Sequence, residues 1–330
     1  AALAKLMGHL DLMYTARKLQ ITAHCNTTIG TPGTFACRLQ PNHPTDDVAG
    51  VTASLLEGLS YGIGDAVIGL NPAIDTVEST TAILNLFNDV KNRLEIPTQI
   101  CVLSHITTQM QALQNGVPMD LLFQSIAGSE KGLSAFGTGV NMLAEAKQMM
   151  QELGSQGPNQ LYFETGQGSE LSSSSHNGAD QVTMESRCYG LARHFSTYLV
   201  NTVVGFIGPE YIYDSKQLTR AALEDNFCGH LHGLPMGCDI CYTNHMVADQ
   251  NDADNLLVLL ANAGCHYVIG VPQSDDVMLM YQSTSYHDVA ATREMLGLHP
   301  IPEFERWCED HGILENGKLT PLAGQPGLLM

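Results

Sequence analysis

Short apolar runs alternate with longer amphipathic stretches along the whole chain, and this rhythm restricts the fold more than any other feature. The runs are TFACRLQ (34–40), DAVIGLN (65–71), TQICVLS (98–104), DLLFQS (120–125), QLYFETG (160–166), VVGFIG (203–208), GHLHGLPMGCD (229–239) and HYVIGV (266–271). Each is short, nearly continuously apolar and rich in β-branched or aromatic residues, as strands covered on both faces are. A helical pattern follows each. Thr45 reads as the N-cap of a helix over 46–62, and further helices are expected over 75–95, 105–115, 129–153, 177–200, 215–226, 250–263 and 283–297. Short helix or loop is expected over 301–313 and 318–330.

Repeated strand–helix units of this spacing predict a (β/α)8 TIM barrel with a short C-terminal extension. The boundaries read as a helical lead-in over 1–33, the barrel over 34–298 and the extension over 299–330. No G-x-G-x-x-G turn and no P-loop follows any run, which removes the usual nucleotide-binding readings.

Composition narrows the partners. The 330 residues include 15 basic and 34 acidic ones, a formal net charge of −19. Neither nucleic acid nor an anionic membrane suits so acidic a chain. No apolar stretch approaches the roughly 20 residues of a spanning helix. The opening AALAKLMGHLDLMYTARKL reads as an amphipathic helix, not a signal peptide. Lacking an initiator methionine, the chain is expected to be part of something longer. Nine cysteines with no even framework suggest reduced, cytosolic thiols.

In a barrel the carboxyl ends of the strands carry the chemistry. Here they carry Arg38 and Gln40, Asn71 and Pro72, Gln124, Glu164, Phe206, and Asp239, with Met278 beyond the eighth run. One Arg, two carboxylates and several amides are costly to bury unless their charges are mutually satisfied. Two carboxylates exceed what one Arg needs, so a small polar ligand bearing an ammonium is the natural remaining cation. A metal-dependent barrel hydrolase is the competing reading. Cys228, His230, His232, Cys238, Cys241 and His245 lie close together, and His230 and His232 would share a strand face with Asp239 near its end. Only one C-x-x-C pair is present, however, and structural zinc usually needs two separated pairs.

The blocks RLQPNHPTDD (38–47), GDAVIGLNP (64–72), DLLFQS (120–125), LYFETGQGSELSSSSHNGADQ (161–181), LPMGCDICYTNH (234–245) and SDDVMLMYQSTSYHD (274–288) together resemble the large, catalytic subunit of ethanolamine ammonia-lyase, in the family's order and over essentially the whole chain. The resemblance implies a cytoplasmic enzyme, in some members housed in a bacterial microcompartment, that deaminates ethanolamine to acetaldehyde and ammonia by adenosylcobalamin-dependent radical chemistry. It implies a separate small subunit and a hetero-oligomer with several large-subunit copies. By that resemblance Arg38, Gln40, Asn71, Glu164 and Asp239 bind substrate. Arg38 and Asn71 would take the hydroxyl, Gln40 and Asp239 the ammonium, and Glu164 would lie between them. Pro72, Gln124, Ser172 and Met278 match positions that contact the cobalamin or its adenosyl group, and Phe206 one near the corrin. Ile269, His266 and Gln273 depart from the family pattern.

Overall fold

The computed structural model describes residues 1–204, 212–243 and 245–330. Eight parallel strands form the centre: β1 (Ala36–Leu39), β2 (Val67–Leu70), β3 (Ile100–Val102), β4 (Leu122–Ser125), β5 (Leu161–Thr165), β6 (Leu199–Val203), β7 (Met236–Asp239) and β8 (Tyr267–Gly270). β8 pairs with β1 in register, Ile269 opposite Arg38. Between β3 and β4 the Asp120 and Leu121 N–H groups donate to the Ile100 carbonyl at 3.3 and 3.2 Å, which brings the sheet round into a barrel. The strands are buried almost throughout, so their apolar runs follow from cover on both faces.

Helices α1 (Val48–Ser60), α2 (Val77–Arg93), α3 (Ile106–Gln114), α4 (Glu130–Ala135), α5 (Val140–Leu153), α6 (Gln181–Phe195), α7 (Ser215–Leu231), α8 (Gln250–Asn262) and α9 (Tyr286–Leu296) surround it. Several starts follow from local capping. Asp47, not Thr45, caps α1, its carboxylate accepting the Gly50 N–H at 2.9 Å. Ser285 and Asp288 form a reciprocal capping box at α9. The single helix expected over 129–153 is two, parted at Gly137 with φ +70°. α6 stops at Phe195, where Ser196 takes the left-handed conformation.

Two runs are placed differently from the sequence reading. The sixth strand is Leu199–Val203, beginning ahead of the expected 203–208, of which residues 205–208 lie outside the described residues. Its polar Asn201 and Thr202 interrupt the apolar pattern, but each has a carboxylate partner, the half-buried Glu164 and the buried Asp225. The seventh is only Met236–Asp239, since GHLH completes α7 and Gly233 turns the chain at φ +74°. The lead-in contains helices Ala2–Leu6 and His9–Ala16 but is not wholly helical, because a hairpin pairs Ala23–His24 with Thr28–Ile29. That hairpin meets the amino ends of the strands: Thr27 N–H donates to Gln99 Oε1 at 2.8 Å. In the C-terminal segment α10 (Pro302–Asp310) precedes a hairpin of Leu314–Glu315 with Lys318–Leu319.

Asp65 fastens the segment around α10 to the barrel. Fully buried, it accepts from the Cys37 N–H, the Ile301 N–H and Arg293 Nη2, the last at 2.8 Å. Arg293 spends its other nitrogens on the carbonyls of Phe35 and Gly62. Asp65→Ala would strand this guanidinium, and a loss of about 3–5 kcal/mol is expected in denaturant unfolding.

Candidate functional site

Alternation along β1 and β5 turns Arg38, Tyr162 and Glu164 into the barrel. Arg38, 1% exposed, donates from Nη1 to the Tyr162 hydroxyl at 2.9 Å and from Nη2 to Asn71 Oδ1 at 3.1 Å. Its Nε meets no acceptor among the described residues. Room for the guanidinium comes from Gly69 on β2, where a Cβ would stand 3.2 Å from Arg38 Nε and 2.9 Å from Cys101 Sγ. Glu164 stays 4.0 Å from Arg38, too far for a close ion pair, and accepts from Asn201 Nδ2 at 3.2 Å.

Asp239 closes β7 and is held from a different loop. The Tyr281 and Ser283 hydroxyls donate to it at 2.7 and 2.8 Å. Gln40 donates to Asp276, and so does Asn42 at 2.8 Å. Burial pushes the Glu164 carboxyl up to about 7, against the pull of Arg38 and with a further push from Asp239. Burial likewise raises Asp239 to about 6, against its two hydroxyl donors. Both acids thus exchange protons near neutrality, as groups that must receive a cation or pass a proton do.

Several of these residues line a cavity of about 330 Å³ at the carboxyl ends of the strands, and the others stand behind its wall. Gln40, Asn71, Glu164 and Asp239 line its polar part. Pro72, Leu103, Phe123, Phe136, Met278 and Leu279 line the rest. The structure therefore brings together Arg38, Gln40, Asn71, Glu164 and Asp239, with Pro72 and Met278 beside them. Gln124 is placed otherwise. Its neighbours Phe123 and Ser125 face the cavity, whereas its amide accepts the Ile106 N–H and donates to the Ser125 carbonyl. Its polar atoms hold the start of α3. Ser172 ends the short helix Ser169–Ser172 and is exposed. Phe206 lies outside the described residues.

The metal-hydrolase arrangement does not form. His230 belongs to α7, not to a strand, and His232 ends that helix. The His230 ring nitrogens contact the carbonyls of Asn226 and Gly264, and its ring stacks on His266 at 4.8 Å. Gly264 precedes β8, so His230 sits at the end of the barrel opposite Asp239. Among the described residues no group of three or more His, Cys, Asp or Glu could hold a metal ion. All nine cysteines are free and buried.

Sequence reasoning missed Tyr162, Asn201, Tyr281, Ser283 and Asp276 as members of the site. Tyr162 had a signal, standing two residues before Glu164 on one strand and hence on the same face. Asn201 was hidden by the misplaced sixth strand. The other three come from the loop after β8, whose return over the cavity no spacing rule announces.

A second depression, about 890 Å³, lies among α4, α5 and α6, lined by Gly128, Arg187 and His194 among others, and shares no residue with the site. Among solved structures, a type I 3-dehydroquinate dehydratase from Clostridium difficile superposes with a TM-score of 0.50 at 10% identity. The match covers 84% of this chain and 98% of that one, a likeness of fold alone. The chain is 56% identical over 329 residues to the ethanolamine ammonia-lyase large subunit of Salmonella typhimurium (strain LT2), and 56% identical to that of Escherichia coli (strain K12). In both cases 99% of this chain and 73% of the relative are covered. The family model described as ethanolamine ammonia lyase large subunit matches residues 1–322. With the barrel, the site at its carboxyl end and these matches together, the chain belongs to the family of ethanolamine ammonia-lyase large subunits, which are lyases.

Proposed function

We propose that the chain is the catalytic subunit of an adenosylcobalamin-dependent enzyme that converts ethanolamine to acetaldehyde and ammonia. The observation that carries this reading is a cavity lined by two near-neutral carboxylates, with the buried Arg38 guanidinium just behind its wall, bonded to the lining Asn71 and 4.0 Å from the lining Glu164. An amino alcohol supplies what the group lacks, an ammonium for the acids and a hydroxyl for the donors. Ethanolamine would fill only the polar floor. The apolar remainder, formed by Pro72, Leu103, Phe123, Phe136, Met278 and Leu279, suits a large, flat-faced macrocycle seated over it. Pro72, Gln124, Ser172 and Met278 are proposed to hold that cofactor, with Phe206 near the corrin. When bound, adenosylcobalamin supplies the radical that removes a hydrogen atom from the substrate.

The chain's own groups then bind, orient and hold protons. Arg38, fixed by Tyr162 and Asn71, donates to the hydroxyl oxygen and stabilises charge that gathers there. Asp239 and Gln40 receive the ammonium. Glu164, between the two ends, holds a proton from the amine as the nitrogen moves, a task its raised pKa matches. Fixed positions remove most of the orientational cost, and the apolar walls keep water from reactive species. A separate small subunit is proposed to cover the open side, in a hetero-oligomer with several copies of this chain. Its place is proposed to be the cytoplasm, including a bacterial microcompartment.

The direct test combines the chain, the small subunit, adenosylcobalamin and ethanolamine. Acetaldehyde is expected, and its absence removes the reading. Arg38→Ala is expected to lower kcat/KM by about 10²–10³-fold, as loss of an oxyanion donor does; a near-normal value would sink that role. In the unsubstituted enzyme kcat/KM should fall as pH drops through about 7 to 6, because protonating Glu164 and then Asp239 removes the countercharge for the ammonium. Stability runs the other way. Both acids bind protons more tightly folded than unfolded, so the folded chain loses stability as pH rises from about 4 to 7. Glu164→Gln should therefore raise the melting temperature at pH 8 and leave it nearly unchanged at pH 4, in thermal scans without ligand.

A further inference from the structure

After β8 the chain forms a hairpin in which Asp275–Asp276 pairs with Tyr281–Gln282. Asp276 is only 2% exposed although it stands in a loop. Four donors converge on its carboxylate. Oδ2 accepts from Gln40 Nε2 and from Asn42 Nδ2, while Oδ1 accepts the Met278 and Leu279 N–H groups at 3.1 and 2.8 Å. An ionised carboxylate can only accept, so it decides how each amide facing it must turn. Gln40 gives its nitrogen to Asp276, which leaves Oε1 for the cavity. Asn42 does the same, and its oxygen accepts the Asn71 N–H at 2.8 Å.

The Asn71 side chain is oriented from the other direction. Its Oδ1 accepts from Arg38 Nη2, a group that can only donate, and so its Nδ2 remains for the cavity. The cavity consequently has a polarity. The Asn71 donor, backed by Arg38, stands at one end, and the acceptors Gln40 Oε1 and Asp239 stand at the other. Arg38 fixes the Asn71 side-chain amide directly, whereas among the described residues only Asp276 holds the Gln40 amide.

Resting on the amino-alcohol reading above, we propose that Asp276 is a positioning residue that holds the Gln40 oxygen toward the cavity and so sets the direction in which the amino alcohol binds. It does this without touching substrate. Through the Met278 and Leu279 N–H groups it also ties the cavity-lining part of the hairpin to the same carboxylate.

The test uses the complex with small subunit and adenosylcobalamin, and reads kcat, KM and the calorimetric Kd for ethanolamine. Asp276→Asn replaces one acceptor oxygen by a donor, which turns the Gln40 amide and aims a second N–H at the ammonium. Kd and KM should rise about 10- to 100-fold, the worth of one hydrogen bond to a charged group, with a smaller change in kcat. Combining Asp276→Asn with Gln40→Glu returns an acceptor to the cavity, because the new amide can donate to the new carboxylate. That double variant should bind ethanolamine at least about tenfold more tightly than Asp276→Asn alone. A residue that only packs the hairpin would let Gln40→Glu tighten binding equally with Asp276 intact, whereas here that substitution alone should weaken it, because two carboxylates would then face each other. Should Asp276→Asn not fold, Asp276→Ser, which leaves Gln40 free to rotate, is expected to weaken binding by the same order. An unchanged Kd in the single variant, or a double variant no better than it, overturns the proposal while the unsubstituted complex still binds ethanolamine. Failure of the unsubstituted complex to bind ethanolamine removes the substrate reading and this proposal together.

Discussion

The buried guanidinium of Arg38 is the constraint around which the interior is arranged. A cation at 1% exposure needs acceptors on several sides. Here they come from opposite parts of the barrel wall: the Tyr162 hydroxyl on β5, Asn71 after β2, and the more distant Glu164. Gly69 leaves it space, because a side chain there would press on both Arg38 and Cys101. None of these neighbours neutralises the charge at contact distance. The 4.0 Å gap to Glu164 keeps acid and base apart, each available to a ligand.

The second organising element is the loop after β8. Its Tyr281 and Ser283 fix Asp239, and its Asp276 gathers Gln40 and Asn42. A single irregular segment thus sets the acidic end of the cavity, while regular strands set the basic end. The division has a physical cause. Strand geometry can aim one side chain inward at every second residue, but it cannot surround a carboxylate with donors. Loops, with backbone N–H groups to spare, can.

What was legible in the sequence follows from the same division. The barrel was readable because buried strands leave continuous apolar runs, and Arg38, Gln40, Asn71, Glu164 and Asp239 were readable because strand ends in a barrel face one mouth. The sixth strand was misplaced because Asn201 and Thr202 are polar, and only tertiary partners explain their burial. GHLH was mistaken for strand because its polar–apolar alternation over a few residues is also compatible with the last turn of a helix. That error, with the nearby cysteines and His245, had kept a metal site in view. Gln124 was read from its place at a strand end, and the sequence did not announce that its amide oxygen accepts the Ile106 N–H at α3 while its nitrogen donates to the Ser125 carbonyl on its own strand. The loop's contribution was illegible, since contacts such as Asp276 to Gln40 join residues more than two hundred positions apart.

The hydrogen bond between Arg38 and Tyr162 spans from the first strand to the fifth, 124 positions along the chain. A fragment holding only the first four strands would carry the guanidinium without its hydroxyl partner, and one holding the last four would carry the hydroxyl without the cation. Neither half can therefore satisfy this guanidinium by itself, and the cavity beside it is complete only when the entire cylinder has closed, a requirement for long-range pairing that slows folding.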